Sequence, residues 1–209
     1  HDPTACSLDW QVGQNLSCQG SYPINTIVST TAANGYAMID SDFYGGATGG
    51  SEMEDCWLTM ANPVDLTVYP DVVVEFEAQY QSYNNEKAYI VVGNGDGSGN
   101  VIWPDLTATT DISMMNNVFE AFPGYVSGDA TTNPELIMVD ISTALVGLSS
   151  VELADIYIRF HWNLLLHVFQ NTSLHFLKKN LLVHRFSNKQ LILYYFLQPF
   201  QQHIHLQWN

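Results

Sequence analysis

Residues 72–80 read Val72-Val73-Val74-Glu75-Phe76-Glu77-Ala78-Gln79-Tyr80. Val72, Val74, Phe76, Ala78 and Tyr80 fall on one face, with Glu75, Glu77 and Gln79 opposite. Side chains alternate across a strand, so this is the pattern of a strand with one face in a core. Outward from it, the same reading predicts strands over residues 87–92, 136–141 and 156–162. In the last of these, Ile156, Ile158, Phe160 and Trp162 share one face, and Tyr157, Arg159 and His161 share the other. Residues 36–39, 56–60 and 118–122 are shorter candidates. The connectors are rich in Gly, Asn, Asp, Ser and Pro, which is turn chemistry. No window reads as an amphipathic helix. Strands separated by turn signals, without helices, predict an all-β, two-sheet antiparallel sandwich over residues 10–162.

The 209 residues carry 21 acidic and 6 basic side chains, a formal charge of −15. That balance excludes nucleic acid, since nothing here neutralises a row of phosphates. Basic clusters of the kind that hold a protein on anionic lipid are also missing. The longest apolar run, residues 191–197, is too short for a membrane span. The chain begins at His1 without a charged-then-apolar leader, which leads us to expect a processed product or a fragment.

Composition breaks sharply near residue 163. All 21 acidic residues and all 14 Gly lie in residues 1–162, as does every Ala. The last 47 residues hold five of the seven His and four of the six basic residues. Gly, Ala, Asp, Glu and Val, whose codons begin with G, number 63 in residues 1–162 and 2 afterwards. Coding frames favour G at the first codon position, and a frame read out of phase loses that bias. The expectation is that residues 163–209 are a frameshift product rather than an evolved domain. Their Leu-rich runs, with no Gly and a single Pro, predict helix or ill-ordered chain outside the sandwich, with few contacts to it.

Several motifs are candidates for chemistry. Glu75 and Glu77 are two apart on one strand, which sets them about 7 Å apart on one face. Such pairs serve some lectin-like glycosidases, although Gln79 stands where a third acid would help, and a solvated sheet face is the simpler reading. Asp40-Ser41-Asp42 runs into the Gly-rich stretch after Tyr44, and Asp96 sits in the Gly93–Asn100 hairpin loop. These hard oxygen donors are candidate calcium ligands. A loop with Gly at this density but no Lys-Ser/Thr ending is not a P-loop. No pair among Cys6, Cys18 and Cys56 has metal-site spacing, and a Cys6–Cys18 disulfide competes with three thiols. No nucleophile motif accompanies His161. Among the aromatics at loop positions, Tyr44, Trp57 and Trp103 are the candidate ligand contacts, because exposed rings stack on sugar faces.

Residues 29–45 contain Thr31-Ala32-Ala33-Asn34-Gly35 followed by Asp40-Ser41-Asp42. This segment resembles the "TAANG…DSD" stretch of secreted Bacteroidetes jelly-roll modules. Those modules are similar to MAM domains and to the "choice-of-anchor" modules exported by the type IX secretion system. Further likenesses follow in order: Asn62-Pro63-Val64-Asp65-Leu66, Tyr69-Pro70 with the strand after it, Asp96-Gly97 with Trp103, Val139-Asp140-Ile141-Ser142, and Ile158-Arg159-Phe160-His161-Trp162. The resemblance covers residues 10–162 and implies a jelly roll. It also implies an opening strand before Trp10 and a closing Asp-Asp-Val strand, and neither is seen. The chain is thus expected to be truncated at its start and altered after residue 162, with any calcium site built on that Asp-Asp incomplete.

The resulting expectation is a non-catalytic extracellular or cell-surface binding or adhesion module of a larger secreted protein. Its partners would be glycans or cell-surface polymers and the other domains of its parent chain. The expected cofactor is a structural calcium ion and no other. A glycoside hydrolase using Glu75 and Glu77, and a spacer that binds nothing, are the competing expectations.

Overall fold

The computed structural model describes residues 9–20, 22–41, 43, 55–82, 87–106, 112–163, 173–177, 183–186 and 190–194. Among them the chain is mostly β with almost no helix. The strands are β1 (Gln11–Gly13), β2 (Tyr36–Asp40), β3 (Asp55–Thr59), β4 (Asp71–Tyr80), β5 (Lys87–Gly95), β6 (Val101–Ile102), β7 (Val118–Glu120), β8 (Glu135–Asp140), β9 (Ile156–Asn163), β10 (Ser173–Leu177), β11 (Val183–Phe186) and β12 (Gln190–Tyr194). One sheet runs β1-β2-β10-β4-β12-β11, with β8 also paired to β4; the other runs β3-β9-β5-β6, with β7 also paired to β5.

The alternation read in residues 72–80 is the reason β4 sits where it does. Val72, Val74, Phe76, Ala78 and Tyr80 are all buried in one core cluster. That cluster also takes Ala37 and Ile39 from β2, Ala88, Ile90 and Val92 from β5, and Ile156, Ile158, Phe160 and Trp162 from β9. The two sheets therefore share one core. Phe76 meets Phe160 edge-on at 5.2 Å between centroids, and Tyr80 stacks on Phe122 at 4.2 Å. Removing this much apolar surface from water is the main drive for the fold.

A smaller cluster of Ile27, Tyr36 and Met38 lies on the other side of β2, with Leu16 and Cys18 packed against it. The segment carrying Leu16 is tied down by the Tyr36 hydroxyl, which donates to the Leu16 carbonyl. A third cluster, Tyr89, Val91 and Val118, sits on the outer face of β5 and is covered by Trp103, Leu106, Ile112 and Met115. The loop 101–106 thus folds back over its own sheet, and this carries Trp103 into the site described below.

The near-absence of helix agrees with the reading, and two other expectations are corrected. Beside short 3-10 turns the described residues include one short α-helix, α1 (Ser150–Leu153). Its signal is a capping box: the Ser149 side chain accepts from Glu152 N, while Ser149 N donates to Glu152 Oε2 at 2.8 Å. The described parts of the tail are strands rather than helix. β10 pairs with both β2 and β4, with Leu174 opposite Ile39 and Phe176 opposite Ala37. Two strands with open backbone edges gain hydrogen bonds from any chain between them, and Ser173-Leu174-His175-Phe176-Leu177 has the local alternation to supply one. Finally, pairing is not antiparallel throughout, because β12 runs parallel to β4 after a β11–β12 antiparallel pair turns the chain round.

Candidate functional site

Strand β9 is central in the second sheet, with β3 on one edge and β5 on the other. Its even residues enter the core, so Arg159 and His161 emerge on the outer face. Register places Trp57 opposite His161 and Thr59 opposite Arg159 on the β3 side. On the β5 side Arg159 stands opposite Val91, and Gly93 follows two residues along.

This arrangement brings two expected ligand contacts, Trp57 and Trp103, to one place and sets an unexpected residue against both. The guanidinium carbon of Arg159 lies 3.7 Å from the Trp103 ring centroid and 4.8 Å from that of Trp57. Cation–π attraction of this kind contributes about 0.5–2 kcal/mol per contact. Arg159 Nε donates to Thr59 Oγ1 at 3.1 Å. Burial pulls its pKa down to about 10 from 12.5, partly offset by the negative charge of Asp55. Asp55 itself is bonded to His161 Nε2, and His161 is only 4% exposed. Among the described residues His161 Nδ1 has no hydrogen-bond partner. The His161 ring also lies 5.6 Å from Trp57. The result is a half-buried cation within reach of two indoles, beside a buried His161 bonded to a half-buried Asp55.

The other expected residues lie elsewhere. Tyr44 and Asp42, with Cys6 and Tyr83, fall outside the described residues. Asp40 is fully buried on β2, and its carboxylate accepts from Gln19 N at 2.5 Å, fastening the segment that covers Tyr36 and Met38. Asp96 is exposed in the β5–β6 hairpin and is committed to the turn, accepting from Ser98 N at 2.7 Å and from Asn100 Nδ2 at 2.9 Å. Calcium needs about six to eight convergent oxygens. Asp40 and Asp96 belong to different sheets, and among the described residues no three His, Cys, Asp or Glu gather as for a metal ion. The described carboxylates therefore do not fit a calcium site. Cys56 is buried in the shared core, whereas Cys18 packs against the smaller cluster.

Glu75 and Glu77 alternate with core residues of β4, so they lie on the outer face of the first sheet, across the molecule from Trp57 and Trp103. Glu75 is buried, and register sets Met138 and Leu136, both exposed, opposite the two acids. A cavity of about 510 Å³ opens where β5 ends, lined in part by Asn94, Pro104, Met115, Asn117, Thr143 and Val146. Its polar groups already serve the protein: Asn94 donates to Glu152, Asn117 to the Val92 carbonyl, and Thr143 to the Asn116 carbonyl. The Trp57–Arg159–Trp103 face is the stronger candidate, since it gathers two aromatic rings around a cation that has no ion-pair partner among the described residues. Among the described residues no helix is long and apolar enough to cross a membrane.

Sequence reading placed Arg159 and His161 outward but gave them no part in binding, because Trp57, Trp103 and Arg159 are remote in the chain. The available signal was scarcity: Lys87 and Arg159 are the only basic residues in residues 1–162. No protein-family model, no curated protein and no solved structure matches the chain.

Proposed function

We propose that the chain is a non-catalytic extracellular binding or adhesion module with a jelly-roll sandwich fold, and that it contacts carbohydrate through the outer face of its second sheet. The observation that carries this reading is the convergence of Trp57 and Trp103 on Arg159, on a face built from three hydrogen-bonded strands. Aromatic faces take the C–H surfaces of sugars, and a guanidinium supplies donors to their oxygens. Strands β3 and β9 hold Trp57 and Arg159 in register, and the loop after β6 brings Trp103 onto them. The shared core and the mainly antiparallel pairing support the sandwich. The likeness to secreted MAM-like and choice-of-anchor modules supports the extracellular placing.

The test is a glycan array probed with the full chain and with Trp57→Ala and Trp103→Ala. Binding that drops tenfold or more in either variant is expected. An array blank for the folded wild-type chain overturns the reading. Hydrolysis of any bound glycan that disappears in Glu75→Gln or Glu77→Gln would favour the glycosidase instead. The separation of those acids from the aromatic face argues for binding alone.

A further inference from the structure

Of the two Lys and Arg side chains in residues 1–162, Arg159 forms no ion pair among the described residues. The other, Lys87, pairs with Glu120 at 3.3 Å. Arg159 has five N–H donors, and one of them, on Nε, is taken by the neutral Thr59 hydroxyl. Among the described residues no carboxylate forms an ion pair with it. The nearest candidate, Asp55, acts on it through space while its own Oδ1 is held by His161 Nε2. Among the described residues no hydrogen bond to either terminal nitrogen is formed, and both indoles lie within cation–π distance of the guanidinium fork.

Burial has made this cation expensive to keep, as its lowered pKa records. A neutral sugar would accept hydrogen bonds from the fork but leave the charge unmatched. A carboxylate accepts from both terminal nitrogens at once and neutralises the charge, the geometry for which guanidinium is better suited than ammonium. The two indoles add a requirement for a ring with a C–H face. The chain's formal charge of −15 disfavours a densely charged polyanion and favours a ligand whose carboxylates are spaced apart. We infer that this face recognises an acidic sugar, a uronate residue of a glycan, with its carboxylate on the Arg159 fork and its ring against Trp57 or Trp103. The inference rests on the binding reading above and names its ligand class.

The experiment uses the full chain on an array of oligoxylosides and other neutral oligosaccharides bearing a single glucuronate or galacturonate residue, each printed beside its carboxyl-reduced copy, with oligogalacturonates as the densely charged comparison. At least one acidic probe should bind tenfold or more tighter than its reduced copy. Arg159→Met should erase that preference, and Arg159→Lys should restore part of it. Asp55→Asn keeps an acceptor for His161 and removes the competing anion, so it should tighten the acidic probe several-fold. Asp55→Asn carries the test if Arg159→Met does not fold. Equal binding of acid and reduced copies overturns the inference, as does a preference that survives Arg159→Met, or Asp55→Asn binding that is unchanged or weaker. Binding confined to neutral glycans overturns the inference and leaves the binding module standing. No binding to any glycan overturns both.

Discussion

The Trp103 ring that lies against Arg159 also fills the space a side chain at position 93 would need. A Cβ on Gly93 would stand 2.7 Å from Trp103 Cε3, well inside contact distance. Gly93 thus makes room for the indole, and the indole in turn covers the cation. Gly93→Ala is expected to destabilise the fold by about 1–3 kcal/mol through overpacking. It should also push Trp103 off Arg159, changing tryptophan fluorescence. Urea unfolding and emission spectra check both, and an unchanged midpoint with unchanged emission would show that the ring is not fixed here.

Arg159→Met separates a binding role from a purely structural one. The cation–π contacts stabilise by about 0.5–2 kcal/mol each, while half-burial of the charge opposes them. Methionine keeps apolar contact with both rings and removes the buried charge. Stability is therefore expected to stay level or rise while glycan binding falls. A loss of stability beyond about 2 kcal/mol would assign the stack to the fold instead.

The shared core makes a sharper demand. Phe160 is 2% exposed and packs edge-on against Phe76 of the opposite sheet. Phe160→Ala is expected to cost about 3–5 kcal/mol, combining lost transfer energy with an unfilled cavity. Denaturant melts measure it. A cost below about 1 kcal/mol would mean that the sheets do not close on this residue.

Acid should weaken the fold through its turns and cap. The Asp65 carboxyl is held below its ordinary range by the Thr67 backbone N–H and hydroxyl, Asp96 by the Asn100 side chain and then the Ser98 and Asn100 backbone, and Glu152 by the Ser149 backbone and hydroxyl. A depressed native pKa means that the unfolded chain binds protons first as pH falls. The stabilisation is complete above the ordinary carboxylate pKa of about 4, and is lost as pH drops through the lowered values. Thermal melts from neutral pH to about pH 2 should fall in that window. Asp96→Asn and Glu152→Gln should each flatten the fall; identical slopes in wild type and variants would refute the assignment.

The break in composition coincides with the end of β9 at Asn163. Reading the encoding DNA in its other two frames past codon 162 is expected to restore codons beginning with G and to give a Gly/Tyr/Trp turn followed by an Asp-Asp-Val-like strand. Immediate stops in both frames, or no such pattern, would remove the frameshift explanation.

Period-two alternation is local, and it is why the core face of β4 and both faces of β9 were legible from residues alone. Each side chain's direction follows from its neighbours two positions away, whatever the sheet around it. The Ser149–Glu152 cap is equally local and legible, although four residues of helix gave no periodicity to find. The site is different. Trp57, Trp103 and Arg159 meet only because β3 and β5 flank β9 in one particular register, and because the loop after β6 folds back over Val91 and Gly93. The same tertiary facts divide Asp40 from Asp96, and Glu75 and Glu77 from the aromatic face. Which strands become neighbours is decided by burying one common core under two sheets, an energy spread over residues remote in the chain, so spacing along the sequence could not reveal it.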